Sequence, residues 1–206
     1  RRLLPGDAAS TQPQTLYGLY DDSILTAVGG RVQIRDTTPI HAPEAASARP
    51  PTLVAQHFTG TSSEDGITYH YASDEAVTYT GAHPHRGWYL DLPLPGQRVL
   101  QHPRGFEGYK VLVNTVVPDG SGPRLAGASH IAVVNALTGQ PPREAAFLPT
   151  GGQAATEGIA MASAPAGPAW MLRQRGRGLL RFADGRERVL QGGRTKGQRA
   201  GWRESQ

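Results

Sequence analysis

The sequence contains no cysteine. Disulfides, zinc–thiolate centres and cysteine nucleophiles are therefore excluded, although the compartment is left open. No run of about 18 apolar residues occurs, so no transmembrane helix is expected. No stretch carries a clean apolar stripe over three helical turns, and the one short candidate, Thr150–Met161, is interrupted by Gly151, Gly152 and Gly158. There is no Gly-x-x-x-x-Gly-Lys loop, no strand-linked Gly-x-Gly-x-x-Gly and no Gly-x-Ser-x-Gly elbow. Phosphate cradles, dinucleotide sites and the common esterase nucleophile turn are thus without a motif. Lysine is scarce: of 21 basic residues only Lys110 and Lys196 are lysines. Such an arginine bias, with abundant Ala, Gly and Pro, reflects a GC-rich genome more than a function.

What the chain has instead is turn residues: 26 glycines and 17 prolines among 206 residues, with 38% hydrophobic content. That composition favours short strands joined by turns. Thr15–Asp21 is rich in aromatic and branched residues and stops at Asp21-Asp22-Ser23, and Gly30–Asp36 alternates with period two. Gly66–Ala72 is a further strand, and Glu75–Tyr79 a weaker one. Gly87–Leu92 and Gln97–Gln101 read as a hairpin around Pro93-Leu94-Pro95-Gly96, a turn whose prolines cannot donate to a ladder. Tyr109–Val117 is the strongest strand, its near-continuous apolar run predicting burial on both faces. Ser129–Asn135 is its expected partner, closed by the turn Asn135–Gly139. Gly158–Ser163, Ala169–Gln174, Gly178–Ala183 and Glu187–Gln191 read as four more strands, the last two joined by an Asp184-Gly185 hairpin turn, and together they look like one four-stranded antiparallel blade of a β-propeller. The spacing predicts an all-β fold. Flexible loops are expected over about 37–51, where four prolines cluster, and over about 140–153.

Charge is uneven. From Met171 to Gln206 ten basic residues face three acidic ones, a local net of +7, while the remainder of the chain carries −3. A basic tail can bind an anionic polymer such as nucleic acid. Here the arginines are interleaved with a strand pattern, which favours a solvated sheet edge. Arg175-Gly176-Arg177-Gly178 is too short a repeat to read as a nucleic-acid segment.

Few residues invite a chemistry. His83-Pro84-His85 is the only close histidine pair, and a metal would need a further donor from His70, Asp74 or Glu75. The default for this segment is a solvated loop. Ser129 and His130 supply hydroxyl and base for a hydrolase, but neighbours in a strand project to opposite faces. Trp88 and Tyr89 fit packing between sheet units better than a sugar-stacking platform. No catalytic, cofactor-binding or metal residue is assigned.

One stretch, Arg86–Val99, is distinctive. Its Gly87-Trp88-Tyr89-Leu90-Asp91-Leu92-Pro93 followed by Gly96-Gln97-Arg98-Val99 resembles the "GWYLDLP…GERV" pattern of the PilC/PilY family, the tip-associated adhesins and biogenesis factors of type IV pili. Thr11–Asp21 resembles that family's "tQTfYGiwD" strand. Val111–Pro118 followed by Ser129–Gly139 resembles "viFtTliP…sw…ldalTG", and Arg199–Glu204 resembles a closing "SWRE". The stretches agree in order and spacing over most of the chain.

The resemblance implies a C-terminal segment, residues 1–206, of a modified β-propeller. A full ring needs at least four blades of about 40–50 residues each, so further blades are expected upstream. It also implies a non-enzymatic, exported protein. Its expected locations are the pilus tip, the cell surface or outer membrane, and the periplasm in transit. The implied partners are minor pilins of the tip complex and a host or abiotic surface, and the implied roles include adhesion, pilus assembly and retraction. The opening Arg-Arg-Leu-Leu-Pro, without Met or a signal core, fits a piece whose export signal lies upstream. Some members carry a calcium loop. No alternating Asp/Asn loop occurs here, so calcium is expected only in upstream parts of a parent protein. The family's cysteines after the buried strand have no counterpart in Asp119–Gly127. The competing reading is a quinoprotein-like propeller enzyme, which Trp88, Trp170 and Trp202 at irregular spacing do not support. A basic-tail binding module is the third.

Overall fold

The computed structural model describes residues 9–21, 24–35, 52–64, 66–99, 102–106, 109–118, 128–143, 146–147, 158–164, 170–174, 177–181 and 187–190. The 37–51 loop, the Asp184-Gly185 turn and the basic tail from 191 onward lie outside them. Within them the chain is all-β, with no helix. Its strands are β1 (Thr15–Leu19), β2 (Ile24–Val28), β3 (Arg31–Arg35), β4 (Leu53–Gln56), β5 (Phe58–Glu64), β6 (Ile67–Ala72), β7 (Gly87–Asp91) and β8 (Arg98–Val99). They continue with β9 (Arg104–Phe106), β10 (Lys110–Val116), β11 (Ser129–Asn135), β12 (Ile159–Ala164), β13 (Trp170–Gln174), β14 (Arg177–Arg181) and β15 (Glu187–Leu190).

The strands form four sheets. The largest has seven, in the order β5-β6-β12-β11-β10-β8, with β9 also on β10. Every pairing within it is antiparallel. A small sheet has the order β1-β7-β4, antiparallel between β1 and β7 and parallel between β7 and β4. The remaining two are the hairpin β2-β3 and the meander β13-β14-β15.

The β10–β11 ladder pairs Lys110 with Asn135 through Val116 with Ser129. Both strands are buried on both faces, as their predominantly apolar, β-branched character favours. One face of the large sheet gathers Ile67, Tyr69, Leu112, Ile131, Val133 and Ala162 under Ala146 and Phe147. The other face packs Val113, Ala132, Val134 and Met161 against Leu16, Trp88, Leu90 and Leu92 from the small-sheet side. The core is thus a sandwich of a large and a small sheet, with a second apolar layer on the large sheet's far side.

Three expectations need correction. Gly87–Leu92 and Gln97–Gln101 are not a hairpin: β7 belongs to the small sheet, while β8 pairs with Thr115 and Val116 of β10. The proline turn ends the β7 ladder and carries the chain from one sheet to the other. The buried Gln97 fixes that turn by bonding Leu94 N through Oε1 and Thr115 Oγ1 through Nε2. The four strands from Gly158 to Gln191 do not form one unit, because β12 inserts between β11 and β6 and leaves β13-β14-β15 as a three-stranded meander. Glu75–Tyr79 is not a strand, since its backbone groups bond to side chains: Glu75 N donates to Gln56 Oε1 and Thr78 N to His85 Nδ1. In the 140–153 stretch the described residues include no strand, yet Ala146 and Phe147 are buried in the core.

Candidate functional site

Two arrangements stand out. The first is built from the distinctive sequence stretches. β1 and β7 pair in register, so Gly18 faces Trp88 across the ladder. Trp88 is 5% exposed, and its Nε1 donates to the carbonyl of Ala136 in the turn after β11 at 3.0 Å. The indole fills the space beside two glycines. A Cβ on Gly18 would lie 2.1 Å from Nε1, and a Cβ on Gly139 would lie 2.3 Å from Cε3. Gly139 also holds φ at +69°, a region L side chains avoid. Trp88 is therefore a packing residue that locks the small sheet onto the β11 turn, not an exposed platform. Tyr89 projects to the opposite face, partly exposed, with its ring 6.3 Å from that of Tyr17.

Gln56 reinforces the same corner. It is 2% exposed, and Nε2 donates to the carbonyls of Glu75 and Thr138. Its Oε1 accepts from Ser73 Oγ and Glu75 N. The irregular segment from Ser73 to Arg86 is thereby tied down, and Gln140 Nε2 adds bonds to Asp74 O and Glu75 O. Tyr79 packs against Tyr20 with ring centroids 4.7 Å apart and planes tilted by 43°, and its hydroxyl donates to the Leu137 carbonyl. Burial, and secondarily Tyr20, raise the Tyr79 pKa.

The second arrangement was not foreseen. His130 Nδ1 lies 2.6 Å and His70 Nε2 2.8 Å from the single hydroxyl of Ser163. His130 and Ser163 are directly paired across β11–β12. His70, opposite Met161 on β6, reaches Ser163 diagonally. The two rings are 3% and 7% exposed, and His130 Nε2 is buried without a partner. Burial lowers the pKa of both rings; for His130 burial and then His70 bring it to about 4. Both imidazoles are accordingly neutral at pH 7.

A hydroxyl within reach of an imidazole is the core of a nucleophile–base pair. An imidazole with a pKa near 4 is, however, a weak general base, since efficient bases titrate near the working pH. Ser129 sits on the opposite face from His130, so those two do not meet. The suggested metal donors do not assemble either. His85 Nδ1 accepts from Thr78 N at 2.9 Å, His70 is committed to Ser163, and no group of three or more His, Cys, Asp or Glu side chains converges among the described residues. No helix of the described residues is long and apolar enough to cross a membrane.

The His–Ser–His contact was invisible in the sequence because its members lie 33 and 93 residues from Ser163. The one available signal was a polar pair, Ser129-His130, opening an otherwise apolar strand. Comparison with models of known protein families, with curated proteins and with solved structures finds no match.

Proposed function

We propose that this chain is a non-enzymatic segment of an exported, type IV pilus-associated surface protein of the PilC/PilY kind, contributing to pilus assembly and adhesion. The observation that carries this reading is the convergence on Trp88. Gly18, Trp88 and Gly139 come from three separate stretches of the resemblance, and all meet at one indole. Motif residues that pack on one another, with no chemistry of their own, fit a scaffold that presents loops. The three-stranded meander β13-β14-β15 fits a propeller blade lacking one strand, and a modified propeller is the architecture we propose for the parent protein. Minor pilins of the tip complex and a solid or host surface are its proposed partners.

The test is deletion of this 206-residue segment from the gene in the source bacterium, with surface pili and attachment counted together. Loss of both supports an assembly role, and normal pili with lost attachment put recognition in this segment. Normal pili with normal attachment overturn the reading.

A further inference from the structure

The His–Ser–His cluster lies at the border between an apolar and a polar row on one face of the large sheet. Next to the Val113, Ala132 and Met161 row of the large sheet runs a row in register across five strands: Thr115, His130, Ser163, Thr68 and Ser63. Ser63, on the edge strand, is exposed, whereas Thr115 is fully buried and His130 nearly so. Ser163 Oγ has one proton to give and two ring nitrogens as neighbours. With both rings neutral the set closes: one ring N–H donates to Oγ, and Oγ–H donates to the bare nitrogen of the other ring. With both rings protonated it cannot close: Oγ can accept from both ring N–H groups, but its own proton is then left without an acceptor, and two cations are held together at one buried hydroxyl. His130 Nε2 sharpens the asymmetry. In the cation that nitrogen must carry a proton, and among the described residues it has no hydrogen-bond partner.

We propose that His130, Ser163 and His70 form an acid-released latch, which holds β12 between β11 and β6 while both rings are neutral and frees it on acidification. β12 is the strand where such a latch matters. Its pairing with β11 spans only Ser129 to Ala132, and its pairing with β6 is irregular between Ile159 and Met161. The groups around the cluster do not replace the lost bonds. On the same face β10 contributes Thr115, β8 Val99, β12 Met161, and β5 Thr61, Ser63 and the Phe58 ring against His70. The small-sheet side contributes Leu16, Leu90 and Leu92. None of these titrates, and the titratable group that acts on His130 is His70. No carboxylate among the described residues joins the two imidazoles. Release would leave the edges of β11 and β6 unpaired and open to strand addition.

The experiment is NMR on the 206-residue chain, following the His130 ring signal and the β12 amide exchange as pH falls. The expected result is no His130 titration near its ordinary value of 6.5 and a midpoint close to about 4. Corrected for intrinsic rates, opening at Ala160–Ser163 should rise about 30-fold between about pH 7.5 and about pH 5, while the β13–β14 amides do not follow. The double variant His130→Asn with His70→Gln keeps polar atoms near Ser163 but cannot titrate, and should abolish the rise. Should that variant fail to fold, the ring titration and amide exchange of the unmodified chain decide. A His130 signal titrating near 6.5, β12 protection unchanged at about pH 5, or an equal rise in a folded double variant would overturn the proposal.

Discussion

Trp88 and Gly18 share one volume: a Cβ built on Gly18 would lie 2.1 Å from the indole nitrogen and 2.2 Å from Cε2. The two residues face each other across the β1–β7 ladder, so the tryptophan can lie inward only because its partner has no side chain. Gly139 clears the other side of the ring and Ala136 accepts its N–H. The small sheet, the β11 turn and the core between the sheets are joined at this one side chain.

Gly18→Ala should therefore destabilise the fold by about 1–3 kcal/mol, the range of overpacking substitutions. The same change made in a Trp88→Ala background should cost less than about 0.5 kcal/mol, because the clash is gone. Urea unfolding of the four proteins measures the coupling. Equal penalties in both backgrounds would remove Trp88 from its place at the junction.

Stability should fall in mildly acidic solution. The folded pKa of His130 is depressed from 6.5 to about 4. Above about pH 6.5 the group is neutral in both states and costs nothing. As pH drops toward 4 the unfolded chain takes up a proton that the folded chain refuses. The resulting loss is about 2–3 kcal/mol. Urea midpoints at about pH 7.5, 5.5 and 4 follow it, and His130→Asn should flatten the part between the first two.

Gln56 satisfies four polar groups from a buried position. Gln56→Leu leaves the backbone groups of Glu75 and Thr138 without these partners, at a cost of about 1–3 kcal/mol. Limited proteolysis should then cut within Ser73–Arg86, a segment expected to resist cleavage in the unmodified chain.

Phe147→Ala should cost about 3–5 kcal/mol, the range for emptying a fully buried aromatic site. Its ring lies 6.4 Å from that of Tyr69 and is 2% exposed. A change below about 1 kcal/mol, measured by thermal unfolding, would show that the 140–153 stretch is dispensable to the core.

Strands with strong local patterns were legible in the sequence. The apolar run of β10, its partner β11 and the short alternating segments β3, β6 and β13–β15 all occur where composition predicts them. β5 was missed because Thr59–Ser63 is polar throughout, its strand character coming from pairing with β6 rather than from its own residues. β4 was missed because a four-residue parallel strand is set by the β7 edge it joins. Pairing across sheets was the larger gap. Gly87–Val99 looks like a hairpin locally, and only the demand of Gln97 and β8 for β10 sends its halves apart. The His–Ser–His cluster was hidden for the same reason, as sheet order alone brings β6, β11 and β12 together. The Trp88 stretch was recognisable, but its two glycine partners carry no pattern until the strands are paired.

The proposal that the Trp88 junction is the scaffold of a pilus-associated surface protein can be tested in the cell. Its most direct measurement is a count of surface pili in the source bacterium carrying Trp88→Ala, with the exposed Tyr109→Ser as control. Trp88→Ala is expected to lower pilus number and attachment as far as removal of the whole segment does, while Tyr109→Ser leaves both unchanged. Normal pili and normal attachment with Trp88→Ala would contradict it.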